Sequence, residues 1–131
     1  MEILRATETW QRAGAYYVRI QAMAKKHHIT LRQEFDEHDG EGTKYIVITD
    51  EDFPVATARM YELDGDSVMI GRVVVLPEYR HQGLGSRAVT ECERWAGEEA
   101  QPHQTLPSHP SPDYQPLLHL EQTHPYSLQL Q

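Results

Sequence analysis

Residues 73–86 restrict the fold of this chain more than any other stretch. They open with an unbroken apolar run, Val73, Val74, Val75 and Leu76, which Pro77 stops. A strand this apolar is covered on both faces, and a proline has no N–H to extend its ladder. A polar turn of Glu78, Tyr79, Arg80, His81 and Gln82 follows. From Gly83 the spacing becomes helical, with Leu84, Ala88, Val89, Cys92, Trp95 and Ala96 along one side. The first N–H groups of such a helix lack intrahelical partners and lie at the positive end of its dipole. Gly83 and Gly85 let those amides approach an anion with no Cβ in between. Residues 82–86 are therefore suited to cradle a diphosphate, with Arg80 and Arg87 at the rim.

Upstream, residues 2–6 read as a short opening strand. Thr9 can cap a helix whose apolar stripe is Trp10, Ala13, Tyr17, Ile20 and Ala24, ending near Lys25, Lys26 and His27, where cations suit a helix C-terminus. That stripe is expected to be core. The acidic residues 34–42, closed by Gly40 and Gly42, read as a solvated loop or strand edge. Residues 44–49 are β-branched and aromatic, residues 50–53 make a turn, and residues 54–63 resume a strand alternating at Val55, Thr57, Arg59 and Tyr61, so a hairpin is expected. After the turn signal at residues 64–66, residues 67–76 form the next strand.

At 131 residues the chain has the length of one domain. Its 20 acidic against 12 basic residues give a formal charge of −8, which disfavours a nucleic-acid partner and suits a cationic or neutral small substrate. The single cysteine, Cys92, cannot form an internal disulfide and reads as a buried small hydrophobe. No signal-peptide pattern opens the chain, and no apolar run approaches the roughly 20 residues that span a bilayer, so a cytoplasmic protein with no membrane partner is expected. Residues 101–131 differ in character: they contain no Lys or Arg but have six Pro and four His, and only Leu117, Leu118, His119 and Leu120 hint at regular structure. The spacing of His103, His109, His119 and His124 matches no compact ligand motif, so no metal is expected.

Two other glycine motifs compete for residues 83–88. Gly83, Gly85 and Ala88 satisfy the dinucleotide fingerprint, but six residues separate Leu76 from Gly83, where that motif places its first glycine almost at the strand end. The P-loop pattern fails for want of its Gly-Lys-Ser/Thr. The whole of residues 73–86 resembles the acyl-CoA signature of the GNAT superfamily of N-acetyltransferases: Gln or Arg, two residues, Gly, one residue, then Gly or Ala, after a strand and a Pro-x-Tyr-Arg turn. Residues 34–39, 54–59 and 71–73 are similar to a bacterial subgroup of that superfamily, and the resemblance covers roughly residues 1–99.

The resemblance implies an α/β (α+β) fold with a mixed, mainly antiparallel central sheet flanked by helices. It implies that the backbone of Val73, Val74 and Val75 pairs with the pantetheine arm of acetyl-CoA. Amides among His81, Gln82, Gly83, Leu84, Gly85 and Ser86 would then hold the pyrophosphate, with Arg80 adding charge at the rim. The implied reaction is direct transfer of the acetyl group from acetyl-CoA, as co-substrate, to an amine acceptor on a small molecule or peptide. It needs a neutral amine and a donor for the tetrahedral oxyanion, a part open to a backbone N–H of residues 73–75. No catalytic side chain is assigned: Glu34, Asp36, Glu37 and His38 could face a substrate, and Arg72 reads as an ion-paired structural residue. Residues 100–131 show neither the second strand nor the Phe-Tyr, three residues, Gly, Phe or Tyr pattern that the family places there, and Tyr114 and Tyr126 sit among prolines. The competing expectation is a truncated or frame-shifted remnant that binds CoA without catalysis, or covers an exposed strand edge as a homodimer.

Overall fold

The computed structural model describes residues 1–64, 67–100 and 117–121. Five strands form one sheet in the order β1-β2-β3-β4-β5: β1 (Glu2–Arg5), β2 (Lys44–Asp50), β3 (Phe53–Asp64), β4 (Ser67–Val75) and β5 (Leu117–Leu120). The first three pairings are antiparallel and β5 joins β4 in parallel, so the sheet is mixed and mainly antiparallel, as expected. The β2–β3 hairpin turns through Glu51 and Asp52, both at positive φ (49° and 71°), the mirror-image turn whose twist matches that of paired strands.

Helices cover both faces. Helix α1 (Thr9–Arg19) continues through a π-helical segment (Ile20–Lys25) and ends beside His28. On its side of the sheet Val18, Ala22 and Met23 close over Val74. On the other side helix α3 (Leu84–Ala100) buries Leu84, Ala88, Val89, Cys92 and Ala96 against Ile46, Ile48, Ala56, Met60 and Val75. The α3 stripe is the one its spacing predicts. Val74 and Val75 thus face opposite layers, and the apolar end of β4 is covered on both faces.

The first half of the predicted stripe is corrected on helix α1, while Ala24 beyond it is buried as expected. Its buried side consists of Gln11, Gly14, Ala15, Val18 and Arg19, whereas Trp10 (47% exposed) and Tyr17 (42%) point outward and Ala13 is exposed. Small residues win because the helix lies close to the sheet: a Cβ on Gly14 would stand 3.0 Å from Pro54 Cγ and 3.4 Å from Val47 Cγ2. The cap also lies one residue earlier than predicted, at Glu8, where Gln11 Oε1 accepts from the N–H groups of Thr7 (2.8 Å) and Glu8 (2.9 Å).

The acidic stretch departs from its expected solvated state. Short helix α2 (Leu31–Glu34) and a 3-10 turn (Glu37–Asp39) fold it inward. Glu34 is fully buried against Arg19, and Asp39 is nearly so. His103, His109, His124, Tyr114 and Tyr126 lie outside the described residues.

Candidate functional site

The site is built where β4 runs into α3. Strand β4 carries a bulge: Thr57 pairs with Val74 and Arg59 with Gly71, so three steps along β4 match two along β3. Arg72, inside the bulge, takes φ 47°. A bulge bends its strand and disrupts the ladder locally. The parallel pairing with β5 ends just before it, at Ile70 and Leu120, with one further bond from Glu121 N–H to Ile70 O at 2.8 Å. Residues 71–75 continue with no β5 partner among the described residues. Leu76 donates its N–H to Val55 O at 2.9 Å, so by alternation Val75 turns its N–H and C=O toward the edge away from β3. Arg80 Nε, 3.4 Å from Val75 O, approaches from that edge.

A 3-10 turn (Pro77–Tyr79) follows, anchored by the Tyr79 hydroxyl donating to Asp50 Oδ2 at 3.0 Å. His81 (φ 66°) and Gly83 (φ 77°) then reverse the chain into α3. The left-handed conformation at residue 83 is the physical reason for a glycine there. Arg87 N–H reaches back to Gly83 O at 3.1 Å, which leaves the amides of Leu84, Gly85 and Ser86 as the helix's opening donors. Leu84, only 2% exposed, pins this turn to the core, and Gly85 is buried beside it. His81, Gln82 and Ser86 are exposed, and Arg80 is half-buried, with its pKa lowered by burial. No acidic residue occupies the first turn of α3, so nothing there opposes an anion.

Below the bulge lies an ionic cluster that sequence reasoning saw only in pieces. Arg19 donates to Glu34 Oε2 (3.0 Å) and Asp39 Oδ1 (2.7 Å). Arg59, 1% exposed, donates to Asp36 Oδ1 (2.8 Å), Asp39 Oδ2 (3.0 Å) and Glu121 Oε1 (2.7 Å). Arg72 reaches Glu121 Oε2 (3.2 Å), Asp36 Oδ2 (3.3 Å) and Glu34 Oε2 (3.4 Å), the ion-paired part expected of it. Burial by itself would raise the Asp39 carboxyl, but Arg19 and the Tyr45 hydroxyl outweigh it and hold it well below the usual carboxylate range. Asp36 is lowered in the same way by Arg59 and the His38 N–H against its partial burial. Carboxylates fixed in this state make poor bases at neutral pH. His38 stands apart from the cluster's ion pairs, half-exposed and stacked on Tyr61 at 4.1 Å.

The fold is that of acyl-CoA N-acyltransferases. The chain belongs to the GNAT family of acetyltransferases, whose family model matches residues 4–115. The uncharacterized N-acetyltransferase YjcF of Bacillus subtilis is 29% identical over 98 residues, covering 75% of this chain and 69% of that one. The crystal structure of a putative N-acetyltransferase from Lactobacillus plantarum superposes with a TM-score of 0.68 at 28% identity, over 75% of this chain and 68% of that one. An aminoglycoside N-acetyltransferase solved in complex with CoA shares the fold at a TM-score of 0.57 and 10% identity, over 93% of this chain and 76% of its own.

Proposed function

We propose that this chain transfers an acetyl group from acetyl-CoA to an amine of a small molecule or peptide, in the cytoplasm and without a metal. In this reading Val73, Val74 and Val75 align the pantetheine arm along the open edge of β4. The diphosphate lies on the amides of His81, Gln82, Gly83, Leu84, Gly85 and Ser86, with the Arg80 side chain beside it. The observation that carries the reading is the continuity of these parts: a strand edge without a β5 partner among the described residues leads through a 3-10 turn into a left-handed glycine and a helix N-terminus free of acidic residues.

The chemistry asks little of side chains. A neutral amine attacks the thioester carbonyl, a C–N bond forms, the C–S bond breaks, and the CoA thiolate takes up a proton as the amine gives one up. The N–H of Val75, turned to the open edge, suits the transient oxyanion. Cys92 has no part in it, because burial pushes its thiol up to about 12 and α3 holds it in the core.

Thermal unfolding with acetyl-CoA, CoA and NADH tests the binding half of the reading. Acetyl-CoA and CoA should each stabilise the chain, by about 2.7 kcal/mol at a hundredfold excess over Kd, and NADH should not. Gly83→Glu should abolish the shift by placing bulk and negative charge in the cradle; an unchanged shift would put the site elsewhere. Thiol release over an amine panel then tests transfer.

A further inference from the structure

Glu121 is the one side chain from beyond α3 that reaches the site among the described residues, and its placement is specific. Its carboxylate lies directly over Gly71, so that a Cβ on Gly71 would collide with Glu121 Cδ, Cγ and Oε1. One oxygen accepts from Arg59 at 2.7 Å and the other from Arg72 at 3.2 Å. Its backbone N–H makes the last bond to β4, at Ile70 O. Arg72 is the residue held at positive φ, and the bulge around it lies directly after the last β4–β5 pair, Ile70 with Leu120. A non-glycine residue in this conformation persists only when its surroundings impose it.

We propose that Glu121 is a positioning residue for the acyl-CoA strand: by fixing Arg72 against Arg59 across Gly71, it holds the β4 bulge from which residues 73–75 run on. The inference rests on the reading that this edge takes the pantetheine arm. Gly71 is the matching part, absent a side chain so that the carboxylate can cross the strand. The two oxygens thereby tie Arg59 on β3 and Arg72 on β4 to one carboxylate.

Two variants separate this from a general loss of stability. Glu121→Gln keeps volume and removes the charge; Gly71→Ala leaves every charge in place and displaces the carboxylate. Binding of acetyl-CoA is compared, by calorimetry on the full chain, with binding of the nucleotide fragment of CoA that retains the diphosphate. Both variants should bind acetyl-CoA roughly tenfold more weakly, about the loss of one charge-assisted bond, while the fragment held at α3 keeps its affinity within about twofold. Glu121→Asp, which keeps the charge, should recover part of the loss. Equal weakening of both ligands, or of neither, overturns the positioning role. Failure of the unaltered chain to bind either ligand overturns the acetyl-CoA reading itself, and this proposal with it.

Discussion

Arg19 shows how far a single residue can depart from its ordinary environment. Its guanidinium is wholly buried, bonded to Glu34 and Asp39, and lies 4.2 Å from the centroid of the Phe35 ring. Removing one partner of a buried pair leaves the other charge unpaired, so Arg19→Leu should cost about 3–5 kcal/mol in denaturant unfolding. The pH dependence follows from the same contacts. Asp36 and Asp39 have folded-state values below their ordinary ones, so their contribution is complete above the unfolded carboxylate range, about pH 4–5, and is lost as the pH falls further. The unfolding midpoint should therefore hold from neutrality to about pH 5 and then drop, with a shallower acid limb in Arg19→Leu. Cys92, buried and with its thiol raised to about 12, should resist thiol reagents until the chain unfolds, leaving released CoA as the signal in a thiol assay.

At the scale of elements, β4, the turn and α3 were legible because each carries a strong local signal: a β-branched run, a proline stop, and apolar residues at helical spacing. Helix α1 was legible in extent but not in orientation. Its most conspicuous apolar residues, Trp10 and Tyr17, face outward, while its buried side is set by Gly14 and Ala15, whose value is their smallness, and by a paired arginine. Hydrophobic spacing does not register either. Gly14→Leu should accordingly destabilise the chain by about 1–3 kcal/mol in thermal unfolding, since its side chain would run into Pro54. The acidic stretch misled for a related reason: its partners Arg19, Arg59 and Arg72 come from three other elements, and ion pairs of that separation leave no trace in local pattern. The course of the turn from β4 into α3 was readable, whereas the placement of Glu121 was not, because it depends on Gly71 on the neighbouring strand.

For the molecule as a whole, strand β5 converts an exposed sheet margin into an interior one over Ser67 to Ile70. A chain shortened to end at residue 116 should expose that margin and self-associate, which size-exclusion chromatography against the full chain would show as a shift to larger species. The ionic cluster has a consequence in time as well as space. Arg59 and Glu121 are 62 residues apart, and Arg72 and Glu121 are 49 apart. During synthesis at roughly 5–20 residues per second, both arginines are made several seconds before their last carboxylate. Until it arrives, Arg59 and Arg72 have, among the described residues, only the carboxylates of Glu34, Asp36 and Asp39 as ion-pair partners. The last ionic contact at the bulge therefore waits on synthesis through residue 121, and a product interrupted earlier would lack it.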